Sequence, residues 1–156
     1  MFSTSMKFDG EETFLAEPER LFQQLTDLDV VARAMPDIES YQKTSDTSMT
    51  GVARPSFGFF RGQLNLVVTI SDLQPPRTAT MKTHAVGMGI EFDVTSSLTV
   101  TPYGSGSKLV WQAEVGGLKG LIATLSGGLI RGATEQMITK TWSKIRDELG
   151  EGDQSD

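Results

Sequence analysis

The sequence contains no cysteine and a single histidine, His84. The first absence removes disulfides, thiolate nucleophiles and any zinc or iron–sulfur site built on cysteine. The second removes metal sites built from several histidines. Long apolar runs are also missing. Gly120 to Ile130 is free of charge but only eleven residues long, well short of the ~18–20 that a spanning helix needs. The opening residues, MFSTSMK, show no basic region followed by an apolar stretch, so no secretory leader is expected. A cytoplasmic location, at most peripheral to a membrane, is the expectation. The formal net charge is −6 with no large basic field, which argues against nucleic acid as the main partner.

What is present reads as one globular unit. The chain has 156 residues, 38% of them apolar and 22% charged, enough for a proper core and unlike a disordered chain. A single domain over 6–149 is expected, followed by a disordered acidic tail over 150–156. Charge is uneven along it: residues 1–50 hold ten acids and four bases, whereas residues 118–149 hold three acids and five bases.

Lys7 to Phe14 reads as a first strand. Pro18 suits the first position of a helix, where its missing amide hydrogen costs nothing, and Leu21, Phe22 and Leu25 give that helix an apolar stripe. A second short helix over Asp29 to Ala34 should stop before Pro36. Period two then takes over. Short strands are expected at Ser40–Lys43 and Met49–Ala53. A longer one places Phe60, Gly62, Leu64, Leu66, Val68 and Ile70 on one face. Ala79, Met81, Thr83 and Ala85 alternate against polar neighbours, as do Ile90, Phe92, Val94, Ser96, Leu98 and Val100. Leu109, Trp111, Ala113 and Val115 complete the last strand. Such alternation predicts an antiparallel sheet with one wet face. The end reads as one long helix whose stripe runs through Leu118, Leu121, Ile122, Leu125, Leu129, Ala133, Met137, Trp142, Ile145 and Leu149. Gly150 is placed to end it.

The predicted inner face mixes large side chains with Gly62, Ala79, Ala85, Ser96 and Ala113. Beneath a helix, such unevenness leaves room for a ligand that Thr83 and Ser96 could orient. It equally suits strands that bend and interdigitate with helix side chains. The candidate lining is Phe60, Leu66, Met81, Thr83, Phe92, Ser96 and Trp111 from the strands, with Leu121, Leu125, Leu129 and Met137 from the helix. The segment GGLKGLIATLSGGLIRGA, Gly116 to Ala133, holds six glycines and no acid. Gly116, Gly117 and Gly120 suit a flexible lead into the helix, and Gly127, Gly128 and Gly132 leave gaps along it. Interior glycines weaken a helix by about 0.5–1 kcal/mol each. A ligand gate or close packing on the sheet are the two readings.

Catalytic signals are weak. His84 falls on the wet face, as do Glu91 and Asp93, and paired carboxylates need shelter to separate their pKa values. Tyr41 and Tyr103 offer hydroxyls. The glycines of GMG and YGSG read as hairpins, lacking the context of a phosphate loop. Of the pair in GFFRG, Phe60 should face in and Phe59 out. No metal and no cofactor is expected.

KFDGEETF near the start, DVVARAMP (Asp29 to Pro36), ISDLQPPR (Ile70 to Arg77) and LSGGLIRGA (Leu125 to Ala133) together resemble the carbon monoxide dehydrogenase G-subunit family. That family lies within the helix-grip superfamily of START and birch-pollen-allergen-like (SRPBCC) proteins. The resemblance covers roughly residues 6–149. It implies an α+β helix-grip fold: a curved antiparallel seven-strand sheet around a long C-terminal helix, with two short helices after the first strand. It also implies a non-enzymatic role, holding a small apolar ligand (a lipid or quinone) for a redox-enzyme partner, with transient membrane contact. Many family members continue into an apolar anchor, whereas this sequence ends in acidic residues. An enzyme of the cyclase or dehydratase kind and an interaction protein with a filled core remain the alternatives.

Overall fold

The computed structural model describes residues 5–55, 62–120 and 126–151. The first strand, β1 (Met6–Phe14), leads through Pro18 into α1 (Pro18–Leu25) and then α2 (Leu28–Ala34). Pro18 occupies the first turn of α1, and Leu21, Phe22 and Leu25 are its buried face. The Asp27 carboxylate caps α2 by accepting from the Asp29 amide at 2.9 Å. Met35, before Pro36, is already extended and ends it, as the restriction on pre-proline residues requires.

Five further strands meander: β2 (Ile38–Lys43), β3 (Ser48–Ala53), β4 (Leu64–Gln74), β5 (Thr78–Gly87) and β6 (Ile90–Tyr103). A seventh, β7 (Gly106–Gly120), runs back along β6, and α3 (Gly127–Glu148) crosses the sheet. All pairs are antiparallel, in the spatial order β1-β7-β6-β5-β4-β3-β2. The first strand thus zips to the last, Met6 opposite Val115 and Phe14 opposite Ser107. Met88 and Gly89, both with positive φ, make the two-residue turn between β5 and β6, the conformation that matches strand twist.

Three expectations need correction. The strand assigned to Phe60 and Gly62 begins only at Leu64: Gly62 has φ +139° and stands outside it, while Phe59 and Phe60 lie outside the described residues. The glycines read as a flexible lead into the last helix belong instead to β7, and so does Leu118. Gly117 (φ +61°) and Gly120 (φ +75°) adopt backbone that other residues rarely take. Between Gly116 and Lys119 the β6–β7 register shifts, so that Glu91 faces Lys119 while Asp93 faces Gly116. Helix α3 itself begins later, where the Ser126 hydroxyl accepts from the Leu129 amide at 3.2 Å. Leu121, Ile122 and Leu125 lie outside the described residues.

The third correction concerns the start of the tail. Gly150 ends α3 as expected, with φ +73°, but Glu151 is buried at 6% exposure. Its carboxylate accepts from the amides of Leu15 at 2.6 Å and Ala16 at 2.9 Å. These two amides leave β1 before α1 begins and have no ladder partner, so the carboxylate satisfies them. The Ser107 hydroxyl, also buried, donates to the Ala16 carbonyl at 2.7 Å. Residues 152–156 lie outside the described residues.

The C-terminal half of α3 is therefore held tightly. Arg146 donates to the Thr13 carbonyl at 3.0 Å and to Glu12 at 3.1 Å, with its guanidinium 4.3 Å from the Phe14 ring. Arg33 of α2 forks onto Glu148. Ile145 and Leu149 are buried. The other half has fewer ties: Ile130 is buried and Arg131 donates to the Lys7 carbonyl at 3.3 Å with its guanidinium 4.6 Å from the Phe8 ring, but Leu129 is 45% exposed, and added β-carbons at Gly128 and Gly132 would meet nothing within 4 Å among the described residues. Close packing of those two glycines on the sheet is thereby excluded.

Candidate functional site

The sheet's inner face is not uniformly buried. Ala79, Ala85, Ile90, Val100 and Leu109 are buried, but between them Met81, Thr83, Phe92, Val94, Ser96, Leu98 and Ala113 are only half-buried. Inward-pointing apolar residues that keep accessible surface require a space in front of them. That space is a cavity of about 550 Å³ between β4–β7, α2 and the sheet-facing side of α3, within the usual range for small-molecule sites.

Leu66, Met81, Thr83, Phe92, Ser96, Trp111, Leu129 and Met137, all expected as lining, do line it. Phe60, Leu121 and Leu125 lie outside the described residues. Sequence reasoning missed the contribution of α2, where Val30, Val31 and Ala34 form part of the wall, and of Met35, Pro36, Ile138 and Trp142. Nothing in a seven-residue apolar helix separates a cavity wall from ordinary core. Among the described residues the wall carries no ionisable side chain. Thr134 and Thr141 spend their hydroxyls on the helix carbonyls of Ile130 and Met137, each at 2.8 Å. The hydroxyls of Thr83 and Ser96 make no hydrogen bond among the described residues.

The ionisable clusters lie elsewhere. On the outer face His84 is bracketed by Asp93 at Nδ1 (2.5 Å) and Glu91 at Nε2 (3.1 Å). The hydrogen bond with Asp93 raises its pKa, and the charges of Asp93 and Glu91 add to it, against a smaller desolvation. Because the two carboxylates hold opposite ring nitrogens, they cannot share a metal with it; among the described residues no group suited to a metal ion is found. Tyr41 donates to Asp29 at 2.9 Å, and Lys43 pairs with the same carboxylate at 2.9 Å. The hydrogen bonds from Lys43 and then Tyr41 hold the Asp29 pKa low. This knot ties α2 to β2. Tyr103 is exposed at the end of β6, with Lys108 5.6 Å from its ring centre.

No described helix is long and apolar enough to cross a membrane. No curated protein matches the chain in sequence. Solved structures do match in fold. A conserved protein from Geobacillus kaustophilus superposes with a TM-score of 0.85 at 13% identity, covering 93% of this chain and 95% of that one. Ara h 8.0201 gives 0.66 at 15% identity, over 93% and 97% of the two chains. A START superfamily protein from Mycobacterium smegmatis gives 0.64 at 9%, over 91% and 95%. At such identities the likeness concerns the fold, which is the helix-grip fold. The model of the carbon monoxide dehydrogenase G-subunit family (CoxG) matches residues 10–150, and the chain belongs to that family.

Proposed function

We propose that the protein is a non-enzymatic binding module that holds a small apolar ligand, a lipid or quinone, in service of a redox enzyme of the carbon monoxide dehydrogenase type. One observation carries the reading: a cavity of about 550 Å³ whose described wall is apolar and has no ionisable side chain. Leu66, Met81, Phe92, Trp111, Leu129 and Met137 supply apolar contact, and the hydroxyls of Thr83 and Ser96 orient the ligand. A wall without an acid or base supports holding over acid–base chemistry. The half-buried inner strands speak against a filled core. The start of α3, where Leu129 both lines the cavity and stays exposed, acts as the portal, and a transient membrane contact there would load the site. The family supports the accessory role.

Organic extraction of the purified native protein followed by mass spectrometry tests this directly. A lipid or quinone recovered at about one molecule per chain is the expected result. Protein that comes out clean, and stays empty after incubation with membrane extract, would refute the carrier reading and favour an interaction protein.

A further inference from the structure

Trp111 is 8% exposed, and its Nε1 is the one buried side-chain nitrogen or oxygen among the described residues without a hydrogen-bond partner. A buried donor left unpaired carries a desolvation cost that a sequence rarely retains without a use for the group. The indole lies across β1 at Gly10, its register partner. A β-carbon on Gly10 would stand 2.8 Å from Cζ2 and 2.9 Å from Nε1, so glycine is what lets the ring lie there.

Gly10 also lines a second, polar cleft between β1 and α3. Trp111, Ile138 and Trp142 line both this cleft and the apolar cavity. They are a shared wall, with the two indole centres 6.0 Å apart. The edge carrying Nε1 lies over Gly10, which lines the cleft and not the cavity. Of the ionisable residues along the cleft, Glu12 and Arg146 face it, whereas Asp9 and Glu11 alternate with Gly10 and are exposed, Glu11 lying 3.6 Å from Lys108. Arg146 is already engaged by Glu12 and the Thr13 carbonyl.

We infer that cavity and cleft form one two-part site, with Trp111 as the group that reads the ligand's polar end. The inference rests on the binding role proposed above. The apolar body of the ligand fills the cavity, and a shift of the Trp111–Trp142 wall lets its polar end reach Nε1. That end must accept a hydrogen bond, because Nε1 only donates. It must be uncharged, because the cleft's one base is already engaged and an anion taken out of water without a partner is costly. The ligand class is therefore an elongated apolar molecule ending in a neutral carbonyl or ether oxygen. Neither a plain hydrocarbon nor a fatty-acid anion belongs to it.

Three probes of matched length separate these possibilities: tridecan-2-one, 2-methyltridecane and tridecanoate, titrated into the full chain labelled with ¹⁵N. The sequence has two tryptophans, so only two indole N–H signals appear, and Trp111→Phe or, if that variant does not fold, Trp142→Phe assigns them. The ketone should move the Trp111 signal downfield while the hydrocarbon does not, and tridecanoate should bind more weakly than the ketone. Trp111→Phe should cost the ketone about tenfold more affinity than the hydrocarbon, the order of one hydrogen bond. Ketone and hydrocarbon both binding with the Trp111 signal unmoved would overturn the role of Nε1 and leave the cavity reading standing. Tridecanoate binding as tightly as the ketone would overturn the neutral-ligand assignment. Failure of every probe to bind the wild-type chain would instead remove the binding role itself.

Discussion

At the scale of single residues, His84 shows how a surface group acquires a measurable signature without a catalytic task. Its side chain is 41% exposed and faces Asp93 and Glu91 across the β5–β6 ladder. The raised pKa means that the native state holds the proton more tightly than the unfolded chain does. The stabilisation is therefore complete below the unfolded value of about 6.5 and is lost as pH rises through the higher folded value. The expected outcome is a wild-type advantage over His84→Gln that is largest near pH 6 and shrinks on the alkaline side, seen in melting temperatures at low salt. As the only histidine, its ring proton also titrates alone in an NMR spectrum. A midpoint at or below the ordinary value would contradict the geometry. The outer-face position of His84 was legible from strand parity. Its bracketing carboxylates lie seven and nine positions away across a hairpin, a pairing that depends on register.

At the scale of elements, α3 is fastened more firmly at its C-terminal end than at its start, where Ile130 is buried and Arg131 reaches the Lys7 carbonyl but Leu129 stays exposed. Arg146, Glu148 and Glu151 tie its C-terminal half to β1, α2 and the segment before α1. Gly132 lies in the first half of α3, exposed and with open space where a side chain would go. Gly132→Ala should therefore add about 0.5–1 kcal/mol of stability, read from the urea midpoint, because it removes backbone entropy without a clash. If this half is the portal, the same variant should slow ligand release and lower amide exchange over residues 127–133. Faster release from the stiffer helix would count against a portal there. The sequence placed Gly127, Gly128 and Gly132 on α3, where they are exposed and line no part of the cavity, and misplaced the glycines before it. Gly117 and Gly120 look like a broken helix start because composition does not distinguish flexibility from a required positive φ. Their role is set by β6 across the ladder, which local pattern does not report. Glu151 was hidden for a related reason: an acidic terminal residue looks solvated until the unpaired amides of Leu15 and Ala16 are found beside it.

At the scale of the whole molecule, the cavity results from a mismatch between a curved sheet and a single helix. Alternation made the sheet legible, since period two places Leu66, Phe92 and Trp111 on one side whatever lies beyond them. The same pattern left open whether that side was filled, because small residues serve bent strands and cavities alike. Half-burial of the central inner residues, flanked by fully buried ones, distinguishes the two. Ala133 offers the cleanest test, for it lines the cavity from α3 opposite the strands. Ala133→Phe should place a ring in the space and abolish ligand uptake, while thermal unfolding of the unliganded protein stays cooperative. A ligand at a hundredfold excess over its Kd should stabilise the wild type by about 2.7 kcal/mol and raise its melting temperature accordingly; the variant should show no such rise. Equal stabilisation of both proteins would place the ligand elsewhere, leaving the outer sheet face as the surface to search. In a filled core the added ring would instead overpack and destabilise by about 1–3 kcal/mol. The presence or absence of that destabilisation in the unliganded protein thus separates a core from a cavity before any ligand is known.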